Sequence, residues 1–138
     1  EIAEFMEREI GLEISPRQPF VGRHFNVTRA GIHADGLLKD EEIYNIFDTA
    51  AILNRPATVA VDAHSGLAGI AHWMNSYFRL KGKHQVDKQD ALVVAVKEMV
   101  DDLYESGRNT VMGDEELEIM VRDADPERYE RLLFHKSR

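Results

Sequence analysis

Apolar residues recur at intervals of three and four along much of the chain, which is the spacing of one face of an α-helix. The first such stretch is EIAEFMEREIG, and Gly11 is placed to end it. Its apolar stripe consists of Ile2, Phe5, Met6 and Ile10. The pattern predicts that the chain opens on a helix, and we assign residues 1–15 to this first unit.

The following stretch shows no sustained hydrophobic period. Pro16 and Pro19 enforce an extended or turning connection, and glycines at 22, 31 and 36 interrupt residues 20–39. We predict a structured loop there. Asp40 can then begin a short helix, and ATVAV (57–61) is a β-branched run typical of a lone strand. Residues 16–64 form the second predicted unit.

Four helices are predicted in the third unit, residues 65–138. Their expected N-caps are Ser65, Asp87, Asp114 and Asp125. Gly107 is placed to end the second of these helices, and Pro126 fits the first position of the fourth. The stripes of the first two helices are Leu67, Ile70, Met74, Tyr77 and Phe78, then Leu92, Val96, Met99 and Leu103. The predicted fold is mainly α, with an irregular glycine-rich N-terminal part and a helical bundle in the C-terminal half.

Composition narrows the classes of function. The chain has 17 Lys and Arg against 25 Asp and Glu, a net charge of −8, so we expect no nucleic-acid or anionic-membrane partner. The absence of cysteine excludes disulfides, thiolate zinc sites and a catalytic thiol, and it is compatible with the cytoplasmic location that we expect. No apolar run approaches the roughly 20 residues of a membrane span.

The stretch AGIHADGLLKDEEIY contains the best candidates for chemistry. His33, between Gly31 and Gly36, can act as a general acid or base near neutral pH, or it is a surface-loop histidine. Tyr44 can donate a hydrogen bond to a substrate oxygen, or it is an amphipathic core residue. His33 and Asp35 are too few ligands for a tight metal site, so we expect no metal in this chain.

Other candidates are weaker when taken from residue type alone. Lys39 beside two acids is typical of a solvated face. HSGLAG (64–69) opens a helix that can hold an anion, but it lacks the lysine and glycine spacing of a phosphate loop and fits a helix cap better. On residues alone the chain is a helical accessory domain of undetermined function.

The stretch PFVGRHFNVTRAGIHADGLLKDEEIYNI resembles the segment that follows the catalytic barrel in the 2-isopropylmalate synthase and homocitrate synthase family. The matching residues are Pro19, Val21, Gly22, Gly31, Ile32, His33, Asp35, Gly36, Lys39 and Tyr44. The Ser65–Gly66 pair and the acidic helices after it match as well. The resemblance covers most of the chain, and GIHADG is its most specific part.

This resemblance implies a helical linker that continues from an (α/β)8 barrel and reaches across a homodimer. Enzymes of the family condense acetyl-CoA with a 2-oxo acid at a divalent metal in that barrel, which would be Mg, Mn or Zn. Carried over, His33 assists proton transfer and Tyr44 donates a hydrogen bond in the partner subunit's active site. The chain lacks the barrel's Arg-Asp-Glu and His-x-His motifs, so we expect it to be inactive alone and to hold no cofactor.

Some residues of this chain differ from the family pattern, and these differences affect which 2-oxo acid we expect as the acceptor. Arg23, His24 and the run Thr28-Arg29-Ala30 replace the usual residues before Gly-Ile-His, and Asn45 replaces a Glu. A homocitrate synthase or a citrate synthase of Re stereochemistry therefore fits as well as a leucine-pathway enzyme. Arg29 can pair with an additional carboxylate of the acceptor, or it is an exposed surface arginine. We assign it to substrate binding, with Asp35 and Lys39 as further substrate-binding residues.

Two rival readings stay open. The chain could be a regulatory or subunit-association module without a part in the chemistry. It could also be the communication domain of a related aldolase or lyase.

Overall fold

The computed structural model describes residues 2–28, 36, 49–53 and 57–136. Its described elements run α1 (Ile2–Ile10), β1 (Val27–Thr28), α2 (Thr49–Leu53), β2 (Thr58–Val59), α3 (Leu67–Tyr77), a 3₁₀ turn (Gly82–His84), α4 (Ala91–Glu105), α5 (Asp114–Ala124) and α6 (Pro126–Lys136). The predicted mainly α class is confirmed.

Helix α1 begins the chain as predicted and ends where Gly11 adopts φ +69°, a conformation that glycine tolerates best. None of its residues is buried, although its apolar residues share one side. Ile2 is 81% exposed and Phe5 51% exposed. The amphipathic pattern therefore predicted the helix correctly without indicating what covers its apolar face.

A compact turn follows between Pro16 and His24. The Gly22 N–H donates to the Gln18 carbonyl at 2.8 Å, and the His24 N–H donates to the Pro16 carbonyl at 2.6 Å. A Cβ atom on Gly22 would lie 2.5 Å from the Pro16 carbonyl oxygen. The turn thus requires a glycine at this position because backbone fills the space of a side chain.

The strand expected within ATVAV is present as β2, but it is not alone. It pairs in parallel with β1, in the register Val27 with Thr58 and Thr28 with Val59. The Ala60 N–H donates to the Thr28 carbonyl at 2.9 Å. Strand β1 lies in the stretch that we predicted to be a loop, because two residues are too few to show an alternating pattern.

Ser65 does not cap α3, so that prediction is wrong. Gly66 occupies the N-cap, and no side chain bonds to the first turn there. The Ser65 hydroxyl is buried and accepts the Asp62 N–H at 2.9 Å while it faces the Ala60 carbonyl at 3.3 Å. Its bonding capacity is used in the turn before the helix.

The predicted caps of α4 and α5 are displaced along the sequence. Asp90 rather than Asp87 caps α4, accepting the Leu92 N–H at 2.9 Å, while Asp87 accepts the Gln89 N–H in the preceding turn. Gly113 is the N-cap of α5, and Asp114 is its first residue. Two acids near the start of α4 can cap it, so the pattern alone does not select one. At α5 the Glu116 side chain instead accepts the N–H of the N-cap Gly113 at 2.8 Å.

The start of α6 is as predicted. Asp125 accepts the Arg128 N–H at 2.9 Å, and Pro126 is the first helical residue. Gly107, at φ +103°, follows the end of α4, also as predicted.

The hydrophobic core is formed largely by α3, α4, α5 and α6. Its most deeply buried side chains are Phe78, Ile70, Met74, Leu117, Val61, Val93, Val96, Val100 and Val121. On α4 the predicted stripe is correct at Leu92 and Val96 but wrong at Leu103, which is 39% exposed. Val93 and Val100 occupy the buried face instead. In the parts of the chain that the structure describes, no helix is long and apolar enough to cross a bilayer.

Candidate functional site

The carboxyl ends of β1 and β2 lie side by side and define one edge, which we call the carboxyl edge. The hydrogen bond between Thr28 and Ala60 closes this edge. Beyond Thr28 the chain enters the segment that carries GIHADG, and beyond Ala60 it turns into α3. The edge is a candidate position for a site because the GIHADG segment departs from it.

The turn from Asp62 to Ser65 forms the described wall of the carboxyl edge. The Asp62 carboxylate accepts the His64 N–H at 2.9 Å, and the Asp62 carbonyl accepts the Ser65 N–H at 3.0 Å. The His64 side chain is 91% exposed, with its Nδ1 atom 3.9 Å from the Asp62 carboxylate. The turn thus presents an imidazole to solvent from a backbone that side-chain hydrogen bonds hold in place.

The predicted site residues lie outside the described part of the chain. These are His33 and Tyr44 as catalytic residues and Arg29, Asp35 and Lys39 as substrate-binding residues. Their roles stay predictions. The structure shows where their segment begins, because Arg29 directly follows Thr28 at the carboxyl edge.

A second polar cluster joins α3, α5 and α6. Glu118 accepts hydrogen bonds from the hydroxyls of Tyr77 and Tyr129, the latter at 2.9 Å, and lies 3.5 Å from the Lys136 ammonium. That ammonium also lies 3.6 Å from the centroid of the Tyr77 ring. The pKa of Glu118 is lowered, first by the Tyr77 hydrogen bond. Burial and the neighbouring Glu118 raise the pKa of Tyr77.

Two further carboxylates make contacts between helices. Asp114 accepts the indole N–H of Trp73 at 2.8 Å, and Asp90 binds the guanidinium of Arg128. Sequence reasoning missed these contacts because each joins residues at least 38 positions apart. Both carboxylates have partners within the helical bundle, so their arrangement indicates structural roles.

Within residues 2–28, 36, 49–53 and 57–136, no three His, Asp or Glu side chains lie together as metal ligands would.

Comparison with known proteins gives the family. No protein-family model matches the chain. It is 54% identical to a citrate (Re)-synthase of Clostridium kluyveri over 131 residues, which is 95% of this chain and 29% of the relative. It is 48% identical to a citrate (Re)-synthase of Syntrophus aciditrophicus, over 97% of this chain and 22% of the relative.

A more distant relative shows the breadth of the family. The chain is 30% identical to a 2-isopropylmalate synthase of Solidesulfovibrio magneticus, over 87% of this chain and 22% of that relative. The chain spans less than a third of the length of each of these three relatives. It belongs, as a segment of that extent, to the family that includes the citrate (Re)-synthases and the 2-isopropylmalate synthases.

Proposed function

We propose that this chain is the post-barrel linker of a synthase that condenses acetyl-CoA with a 2-oxo acid. The observation that carries the proposal is the 54% identity to a citrate (Re)-synthase across nearly the whole chain. The full-length enzyme would be a cytoplasmic homodimer with a divalent metal in its barrel. The linker would contribute His33 and Tyr44 to the partner subunit's active site.

The identities favour one acceptor within the family. The two relatives at 48% and 54% identity are both citrate (Re)-synthases, whereas the 2-isopropylmalate synthase from Solidesulfovibrio magneticus is 30% identical. We therefore propose that the product is citrate and that the acceptor is oxaloacetate. Oxaloacetate carries a second carboxylate, and Arg29 would bind it through a charge-assisted hydrogen bond.

The proposed reaction needs a base to remove a proton and a hydrogen-bond donor to stabilise the enolate. The methyl protons of a thioester are weakly acidic, so the enolate must be stabilised as it forms. His33 would move the proton, and Tyr44 would donate a hydrogen bond near the bound substrates. The parallel pairing of β1 and β2 supports this arrangement because it fixes the start of the His33 segment beside a turn with its own exposed imidazole.

The experiment measures CoA release by the full-length enzyme with acetyl-CoA, a divalent metal and a panel of 2-oxo acids. We expect turnover to be greatest with oxaloacetate. His33→Ala should lower kcat by about 10²-fold or more, as for a positioned acid–base group. His24→Ala is the matched control, because this exposed histidine belongs to the preceding turn and has no assigned role.

The other outcomes separate the rival functions. Equal turnover of wild type and His33→Ala would favour a subunit-association module. One observation favours that rival, namely the apolar face of α1, which no described element covers. No turnover with any acceptor would contradict the condensing function itself.

A further inference from the structure

The short connection after α3 presents a fixed loop to solvent. We call residues 79–84, RLKGKH, the basic loop. Leu80 within it and Val86 just beyond it are both buried, at 3% and 4% exposure. Between them lies the 3₁₀ turn Gly82–His84. Two apolar anchors thus hold a loop whose tip is exposed.

A buried amide fixes the base of this loop. The Asn75 side chain donates to the Val86 carbonyl and accepts the Val86 N–H, both at 2.9 Å. The Leu80 N–H donates to the Asn75 carbonyl at 2.8 Å. Asn75 is itself only 8% exposed, so these bonds are shielded from water. The loop is therefore preorganised rather than merely exposed.

The loop concentrates positive charge on an acidic protein. Arg79, Lys81 and Lys83 are exposed, and no acidic residue occurs between positions 79 and 86. In the described part of the chain, no ion pair joins these three side chains to another residue. The chain as a whole carries a net charge of −8. Three like charges within five positions of one loop repel one another, and a bound anion would relieve that repulsion.

A favourable interaction with the dipole of α3 does not explain the three cations of the basic loop. Cations near a helix C-terminus are favourable, but the effect falls off within the last turn. Helix α3 ends at Tyr77, so Lys81 and Lys83 lie beyond its reach. On its far side the loop contacts α6, where the rings of His84 and His135 lie 4.7 Å apart.

The position of the loop suggests which anion it binds. The N-terminal end of α3 adjoins the carboxyl edge, and the basic loop follows its C-terminal end. Eleven helical residues separate the two by about 16 Å. Coenzyme A is a long molecule with its thiol at one end and its phosphates at the other. A molecule of that shape can place its acyl group near the carboxyl edge while its phosphates contact the loop.

We propose that the basic loop binds the phosphate groups of the acyl-CoA substrate, with Lys81 and Lys83 as the main contacts. The inference rests on the proposed condensing function and adds a binding site to it. Lysine ammonium groups suit phosphate as point charges, and their field also raises the rate at which a polyanionic substrate is captured.

The first test compares the full-length enzyme with its Lys81→Ala/Lys83→Ala variant. We expect the KM for acetyl-CoA to rise about tenfold or more, equivalent to about 1.4 kcal/mol or more, while kcat and the KM for oxaloacetate stay unchanged. Arg122→Ala/Arg131→Ala is the matched control, because it removes two exposed cations from α5 and α6. An equal rise of the KM for acetyl-CoA in the control variant would show that only the net charge matters, and it would overturn the proposal.

The second test identifies the recognised group. Adenosine 3′,5′-bisphosphate should compete with acetyl-CoA in the wild type and lose potency at least tenfold in the lysine variant. Pantetheine, which has no phosphate, should affect both equally. Inhibition by inorganic phosphate as strong as that by the bisphosphate would show a generic anion site and contradict the assignment.

The remaining outcomes are decisive as well. An unchanged KM for acetyl-CoA in an active enzyme overturns the inference but leaves the proposed function intact. A changed oligomeric state with an unchanged KM would assign the loop to a contact with a second copy. If the wild type condenses nothing, the proposed function fails, and calorimetric binding of adenosine 3′,5′-bisphosphate still decides whether the loop is a phosphate site.

Discussion

Asp90 joins the first turn of α4 to α6 through Arg128. Its carboxylate accepts two hydrogen bonds from the Arg128 guanidinium, one at 2.6 Å, and also accepts the Leu92 N–H at 2.9 Å. One side chain therefore acts both as a helix cap and as one partner of an ion pair between helices. The Arg128 hydrogen bond is the main cause that holds the pKa of Asp90 below its ordinary value.

Asp90→Asn separates these two roles, since Asn caps a helix as well as Asp does. The variant should lose about 1 kcal/mol of stability at neutral pH, because the pair is only partly buried. A lowered pKa stabilises the fold above the ordinary Asp value of 3.8, and that contribution is lost as the pH falls through the folded-state pKa. The difference in unfolding free energy should therefore be largest above about pH 5 and vanish in acid.

Urea unfolding of both proteins across this pH range provides the measurement. Asp123→Asn is the control, because its ion pair with Arg122 is about half exposed on both sides. A stability difference for Asp90→Asn that did not change with pH would contradict the charge explanation.

Gly22→Ala should disrupt the turn from Pro16 to His24. The added Cβ would lie 2.5 Å from the Pro16 carbonyl oxygen and 2.6 Å from the Gln18 nitrogen, so the backbone must move. We expect faster hydrogen exchange at the Gly22 and His24 amides with little change in global Tm, because the turn lies outside the helical core. Gly66→Ala, where a Cβ meets nothing within 4 Å, should leave these amides unchanged.

This glycine shows what the sequence could and could not predict. The resemblance singled out Gly22, but only the structure gives the physical reason, which is the close approach of Pro16. The helices were predictable because apolar residues such as Ile70, Met74 and Phe78 recur at helical spacing. The structure buries all three of these side chains. The caps were less predictable, since Asp87 and Asp90 both precede α4 and only three-dimensional contacts with Arg128 and Leu92 distinguish them.

The pattern of apolar and polar residues did not predict the long-range pairing of β1 with β2. Strand β1 is two residues long and finds its partner 31 positions away at β2. The resemblance singled out His33 and Tyr44 as catalytic candidates. Residue chemistry alone did not distinguish these roles from a surface-loop histidine and a core tyrosine. The exposure of His64 beside the carboxyl edge was not predictable from HSGLAG, because it depends on the turn that Asp62 and Ser65 form.

Asn75→Ala should destabilise the molecule by about 2–3 kcal/mol, because the N–H and carbonyl of Val86 would lose their buried partner. The same change should loosen the basic loop and raise the KM for acetyl-CoA. Chemical denaturation and steady-state kinetics of the full-length enzyme measure the two effects. Asn109→Ala, at an exposed position in the connection after α4, should change stability by less than about 0.5 kcal/mol. A stable Asn75→Ala protein would show that the amide does not anchor the loop.

Glu118→Gln should lower the pKa of Tyr77 and Tyr129. Burial is the first cause that raises both values, and the hydrogen bond to the Glu118 carboxylate is the second. A neutral Gln removes the repulsion between carboxylate and phenolate but keeps the side-chain shape. Spectrophotometric titration of the tyrosines should therefore show ionisation at lower pH than in the wild type. Glu127→Gln, on a side chain that is 91% exposed, should leave the curve unchanged.

The pairing of Thr28 with Val59 makes the intervening residues a closed loop whose two ends the sheet holds together. The entropy of closing such a loop rises only with the logarithm of its length, so doubling the length costs about 0.6 kcal/mol. Insertions or deletions within that segment can therefore arise at little cost to the helical core. The pairing of the two strands thus keeps the ends of this segment together whatever its length.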